Sequence, residues 1–228
     1  MLTLEAVRFT RGDFGLSADW SLEAGARCAV LGPSGGGKST LLSLIAGFEV
    51  PASGRVSHNG RAMPEAPGAR PLSILFQEAN LFPHLSVAQN VGLGLDPRLK
   101  LSASDKARVG DVLWRVGMSD LASRKPGALS GGQRARTALA RVLLRARPIL
   151  LLDEAFSALG PALKAEMFAL MDETLAPETI LMMVTHDPDE AAKMDQIVVV
   201  DDGLAAAPQE ASPLLADPPP GLRAYLGT

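Results

Sequence analysis

Between an apolar run, Cys28-Ala29-Val30-Leu31, and a helical stretch, Ser39 to Ala46, lies the loop Gly32-Pro33-Ser34-Gly35-Gly36-Gly37-Lys38-Ser39-Thr40. No other feature of the chain narrows its fold as much. Glycines that follow a buried strand and open a helix let backbone N–H groups approach an anion, and the helix adds its positive end. Such a loop belongs at the carboxyl end of a strand in an α/β sheet. It reads as a cradle for the phosphates of a nucleoside triphosphate, with Lys38 on the β- and γ-phosphates and Ser39 on Mg²⁺. A bare glycine turn is the alternative, and the strand before it and the helix after it oppose that reading.

The rest of the chain agrees with an α/β fold. Ile149 to Leu152, Thr179 to Val184 and Ile197 to Val200 are strand-length apolar runs separated by helical stretches. That pattern marks a parallel sheet buried on both faces. Residues 2–31 alternate apolar and polar positions, with Gly12, Gly15 and Gly25 as breakers, and read as short antiparallel strands ending in a buried one. Further strands are expected at Arg55 to His58 and at 72–76. From about 86 to 146 the spacing turns helical, with Val109, Val112, Leu113, Val116 and Leu121 on one stripe. The proline-rich tail, 206–228, reads as irregular or short-helical.

At 228 residues, 47% of them apolar, the chain has material for a sizeable core. A net charge of −3 leaves no nucleic-acid footprint in the charge balance. The single cysteine, Cys28, excludes an internal disulfide and reads as a buried strand residue rather than a reactive thiol. No basic leader precedes an apolar stretch at the N-terminus, and no run approaches 18 apolar residues. The expectation is a soluble chain in a reducing compartment, meeting a membrane only through a partner.

Four further sites carry chemistry. Asp153 and Glu154 end an apolar strand, where charges are costly unless they serve the ligand side of the sheet. Asp153 is expected to hold Mg²⁺, and Glu154 to orient and polarise an attacking water. Gln77 and His186 each close another apolar strand, after Ile74-Leu75-Phe76 and Val184-Thr185. By itself a lone histidine is more often structural, and a solvated loop amide is the alternative for Gln77. Leu129-Ser130-Gly131-Gly132-Gln133 begins a helix: Arg134 to Arg147 carries the apolar residues Ala138, Leu139, Val142 and Leu143 at helical spacing. A hydroxyl and free N–H groups at a helix start suit an anion; a plain helix cap is the alternative. Arg134, Arg136, Arg141 and Arg145 read as a solvated helix face.

The phosphate loop, LSGGQ and Ile149 to Glu154, in this order, make the chain resemble ABC ATPases over nearly its whole length. The resemblance implies a P-loop NTPase fold: a RecA-like core with a parallel sheet, an antiparallel β subdomain and an inserted α-helical subdomain. The core with its β subdomain would span about 1–85 and 147–205, the helical part about 86–146, the tail 206–228. It implies ATP and Mg²⁺ as ligands. Gln77 would touch Mg²⁺ and the attacking water, and His186 the γ-phosphate. Leu129, Ser130, Gly131, Gly132 and Gln133 would bind the ATP held by a second copy. The implied partners are a homodimer mate, an integral membrane permease and, indirectly, a periplasmic solute-binding protein, with no nucleic acid. The implied place is the cytoplasmic face of a bacterial inner membrane.

Within that family the stretch from Ile74 to Leu95, continuing through Pro97, Leu99 and Lys100, is similar to ATP-binding subunits of bacterial thiamine importers. Importers of iron, polyamines or oxyanions share parts of it, and an ATP-dependent clamp that moves no solute is the rival of another class. Leu81, Phe82, Leu85 and Val87 read as an apolar patch for the permease, around Gln77 to Val91, or else as packing of the helical part. Two positions depart from the family. Ala155 stands where proline is usual, and Gly160 where aspartate is usual, followed by Pro161. A positive φ at Gly160 would make the aspartate unwelcome. The residue expected to stack on adenine is Arg11, Phe9 or Phe14.

Overall fold

The computed structural model describes residues 1–77 and 80–226. Glu78 and Ala79, part of the expected 77–91 partner surface, lie outside the described residues. In chain order the elements begin with β1 (Leu2–Arg11), β2 (Phe14–Leu22), β3 (Arg27–Leu31), α1 (Lys38–Ala46), β4 (Ser53–His58), β5 (Arg61–Ala62) and β6 (Leu72–Phe76). Three helices follow, α2 (Val87–Gly92), α3 (Ala103–Arg115) and α4 (Gly131–Arg145). The chain continues through β7 (Ile149–Asp153), α5 (Pro161–Thr174), β8 (Ile180–Val184), α6 (Pro188–Ala191) and β9 (Gln196–Asp201). It ends in β10 (Leu204–Ala205), β11 (Gln209–Glu210), α7 (Ala211–Ala216) and α8 (Pro220–Leu226).

These elements form two compact units, Met1–Leu72 with Pro148–Glu154 and Pro177–Thr228, and Ser73–Arg147 with Ala155–Ala176. The first unit is built on one sheet in the order β5-β4-β1-β2-β10-β9-β3-β8-β7, with β11 against β9. Its outer half is antiparallel: β1 runs against β2 and β4. Its inner half is parallel: β3 pairs with β8 and β9, and β7 with β8. β10 joins the halves, parallel to β2 and antiparallel to β9.

The expected α/β class is therefore the observed one, and the apolar runs are the reason. Every residue of β8 is buried, as are Ile149 to Leu152 of β7 and Cys28 to Leu31 of β3. Burying a Leu, Ile or Val side chain is worth roughly 1.5–3 kcal/mol, so these strands have no favourable solvent face. Cys28 sits among them, and burial pushes its thiol up to about 12, which removes it from thiolate chemistry at neutral pH.

The second unit is mostly helical. Val109, Val112 and Leu113 give α3 its buried stripe, and Val116 follows at its C-cap. Leu121 departs from that stripe: it is half-buried in a single 3₁₀ turn. The helix expected to begin at LSGGQ does so: α4 starts at Gly131, and Ser130 caps it. Phe156 is fully buried and meets Phe168 of α5 edge-on at 5.9 Å. Segment 86–146 falls within this unit, and residues 206–226 of the tail within the first. No helix among the described residues is long and apolar enough to cross a membrane.

Candidate functional site

The phosphate loop turns from β3 into α1, and two of its glycines are obligatory. A Cβ on Gly32 (φ +148) would lie 1.9 Å from the Val200 carbonyl oxygen. Gly37 (φ +110) caps α1 and leaves room for Phe14, whose Cζ would be 3.0 Å from a Cβ there. Left-handed backbone at Gly37 costs little only without a side chain. Lys38, 9% exposed, folds back so that Nζ donates to the carbonyls of Gly32 at 2.7 Å and Pro33 at 2.9 Å. Burial lowers the pKa of its ammonium, while Glu154 and Asp153 oppose that shift. These bonds to carbonyls are the ones a phosphate oxygen can replace.

Around the lysine stand the residues expected from the sequence. Ser39 Oγ donates to Asp153 Oδ1 at 3.4 Å. Burial raises the Asp153 pKa, and nearby Glu154 adds to the rise against the Ser39 bond and Lys38. Glu154 Oε2 faces His186 Nδ1 at 3.8 Å. Glu154 holds φ at +48°, with its N–H donating to the Val184 carbonyl at 3.1 Å. A non-glycine residue in this region carries strain of about 1–3 kcal/mol. Here the strain turns the chain sharply at the carboxyl end of β7 and presents the side chain to His186.

The hard oxygen donors Ser39 and Asp153 fit Mg²⁺ that arrives with a triphosphate. No cluster of three or more His, Cys, Asp or Glu residues suited to a metal occurs among the described residues.

Gln77 and the LSGGQ residues belong to the second unit. Ser130 accepts from the Gln133 N–H and Gln133 accepts from the Ser130 N–H, a reciprocal capping box. Leu129 is buried, and Gly131, Gly132 and Gln133 form the first turn of α4. A cleft of about 480 Å³ on this unit is lined by Gln77, Leu81, Gly131, Arg134 and Leu159 among others. The four arginines of α4 are not a uniform solvated face. Arg136 pairs with Glu166 at 2.6 Å, Arg134 donates to the Leu129 carbonyl at 2.7 Å, and Arg141 donates to the Asn80 carbonyl at 3.0 Å.

The apolar patch read at 81–87 is only partly one. Phe82 is 47% exposed, Leu81 and Leu85 are half-buried, and Val87 is fully buried as the first residue of α2. The sequence reading missed Asn90. It is fully buried, its Nδ2 donates to the carbonyls of Phe82, Leu85 and Ser86, and its Oδ1 accepts from the Phe82 N–H. A lone Asn in a helical run carries no signal of such a role.

Of the three residues considered for adenine, Phe14 is the one against the phosphate loop. Phe9 is buried, and Arg11 lies 5.3 Å from its ring and pairs with Glu49. Tyr225 was also not foreseen. Its ring centroid lies 5.7 Å from Lys38 Nζ, and its hydroxyl is 3.5 Å from the Thr185 carbonyl it donates to.

Comparison with known proteins agrees with this geometry. The sequence profile of the family described as "ABC transporter" matches residues 17–157. The thiamine import ATP-binding protein ThiQ of Cereibacter sphaeroides is 58% identical over the full length of both chains. The protein of that name from Escherichia coli is 52% identical over 82% of each chain. Among solved structures, cbiO1 of Clostridium perfringens, described as part of an ABC transporter complex, superposes with a TM-score of 0.80 at 27% identity, covering 95% of this chain and 90% of its own. The ATP-binding cassette MJ0796, solved as a dimer with ADP and Pi, gives 0.77 at 27% identity, with 92% and 99% covered. The chain belongs to the ABC transporter family, and its fold is that of the family's ATPase.

Proposed function

We propose that this chain is the ATP-hydrolysing subunit of an ABC importer for thiamine. The observation that carries the proposal is the convergence of Lys38, Ser39, Asp153, Glu154 and His186 on one phosphate loop, in a chain 58% identical to a thiamine import ATPase from end to end. MgATP is the substrate. Residues 32–40 cradle its phosphates, and Lys38 exchanges its two carbonyl partners for phosphate oxygens. Ser39 and Asp153 supply oxygens to Mg²⁺. Glu154 polarises the attacking water, and His186, facing it, holds the γ-phosphate end of the site. Gln77 is assigned to Mg²⁺ and the water by the family pattern. Phe14 is assigned to adenine, because it lies against Gly37.

Two copies act together. Leu129 to Gln133 of one copy meet the ATP bound by the other, with Ser130 and the first amides of α4 as donors. Closure over two ATP moves a membrane permease, and hydrolysis resets it. The chain attaches to the cytoplasmic face of the inner membrane through that permease. A solute-binding protein delivers thiamine from the far side. The division into a core at 1–85 and 147–205, a helical part at 86–146 and a tail at 206–228 belongs to the same proposal.

The test is reconstitution of the chain with its permease and solute-binding protein in vesicles. Thiamine is expected to stimulate ATP hydrolysis, and Glu154→Gln to abolish turnover while giving an ATP-dependent dimer by light scattering. Stimulation by an iron complex, a polyamine or an oxyanion, with none by thiamine, would reject the solute. A Glu154→Gln chain that stays monomeric under saturating MgATP would reject the dimer mechanism.

A further inference from the structure

Glu190 is a carboxylate with 4% exposure in α6, and nothing in the hydrolytic assignment uses it. Its Oε2 accepts a hydrogen bond from Thr185 Oγ1. The same hydroxyl oxygen accepts from the Asp187 N–H at 3.0 Å. One carboxylate and one hydroxyl thus clasp the residues on both sides of His186. The turn is closed again from the backbone, where the Glu190 N–H donates to the Asp187 carbonyl at 3.1 Å. Asp187 Oδ1 accepts from the Asp189 N–H at 3.0 Å. Ala191, next in the helix, is fully buried and anchors α6.

His186 needs such support because little packs on it. Its side chain is 57% exposed, and Glu154 faces it at 3.8 Å. An imidazole so exposed takes its direction from the backbone that carries it. Stability alone is a weak reason for the arrangement. A buried carboxylate is costly to desolvate, and an apolar side chain of similar volume would fill the space without that cost. What the carboxylate adds is a fixed direction for the Thr185 hydroxyl, and through it for the 185–187 backbone.

We propose that Glu190 is a positioning residue for hydrolysis: acting through Thr185, it fixes the turn that aims His186. The proposal rests on the reading that this chain hydrolyses ATP with His186. Misplacing a group by an ångström costs up to about a hundredfold in rate, so loss of the clasp should lower kcat while leaving ATP affinity alone.

The experiment measures kcat, KM for MgATP and thermal melting on the full-length chain. Glu190→Ala is expected to lower kcat about tenfold with KM changed less than about twofold. Glu190→Gln keeps an oxygen acceptor and should retain most of the turnover. Thr185→Val removes the shared hydroxyl at nearly constant shape; it should match Glu190→Ala in kcat and still melt cooperatively, and it carries the test if Glu190→Ala does not fold. In the His186→Ala background, Glu190→Ala should add no further loss. Wild-type kcat in Thr185→Val or Glu190→Ala, or a loss in the double variant equal to the product of the single losses, would overturn the proposal and leave the importer reading intact. Full turnover in His186→Ala would overturn the role given to His186, and this proposal with it, while the importer reading would stand.

Discussion

Asp153 shows how the site trades stability for chemistry. Burial, with Glu154 beside it, raises its pKa above the usual aspartate value. A carboxyl whose folded-state pKa is raised destabilises the fold when it ionises. That loss is absent in acid below the ordinary aspartate range and sets in as pH rises through it. It is complete once pH exceeds the raised folded value. Asp153→Asn keeps the acceptor that Ser39 uses and removes the charge. It should raise the melting temperature of the nucleotide-free chain at neutral pH by about 1–2 °C, with the gain fading in acid. On the proposed assignment of Asp153 to Mg²⁺, turnover should fall about a hundredfold or more. Melting curves across pH, run beside an ATPase assay, check both halves. A variant less stable than wild type at neutral pH would contradict the burial argument. The place of Asp153 and Glu154 at the end of β7 was legible in the sequence, because a charge that ends an apolar strand is conspicuous. Tyr225, Asn90 and Glu190 were not: each matters through a partner distant in sequence or through burial, and neither leaves a local pattern.

The strands of the parallel half were legible because four or five consecutive apolar residues buried on both faces admit no other packing. Helix boundaries were legible where a local signal marks them. α4 opens at the first glycine of LSGGQ, since the Ser130–Gln133 capping box outweighs the low helix propensity of two glycines. α1 ends at Gly47, where buried Arg70 donates to the Leu44 and Ile45 carbonyls at 2.7 and 2.6 Å. A cation there complements the helix dipole, and nothing near Arg70 in the sequence announces it. α5 settles the question left open at Gly160. This residue is the N-cap, with φ −70° and ψ 159°, and no side chain caps the helix. Pro161 is then at N1, which it favours. A Cβ at Gly160 meets nothing within 4 Å. Aspartate is therefore compatible with this backbone and would supply the missing cap. Gly160→Asp should stabilise the chain by about 0.5 kcal/mol, from the cap and the helix dipole together. Urea unfolding measures this directly, and a lowered midpoint would mean that α5 does not start here.

At the scale of the whole molecule, the chain's last helix returns to the loop formed near its beginning. Tyr225 of α8 places its ring beside Lys38 Nζ, whose ammonium is already bonded to two carbonyls. Burial, and then Glu154, raise the pKa of the phenol, so it is neutral around pH 7 and offers the ammonium a ring face but no charge. On the proposed assignment of Lys38 to the phosphates, a triphosphate needs that same ammonium, so ring and phosphates would compete for it. A cation–π contact of this sort is worth about 0.5–1 kcal/mol when partly exposed, which converts to a few-fold in affinity. Tyr225→Ala should therefore tighten ATP binding by about two- to fivefold. Tyr225→Phe, which keeps the ring but not the hydroxyl, should bind close to wild type. The gain should also depend on the lysine: in a Lys38→Met background, where binding is weak throughout, Tyr225→Ala should change nothing further. Calorimetric titration of the wild type and these four variants decides the matter. Weaker ATP binding in Tyr225→Ala would place the tyrosine among the groups that hold the nucleotide instead of those it displaces.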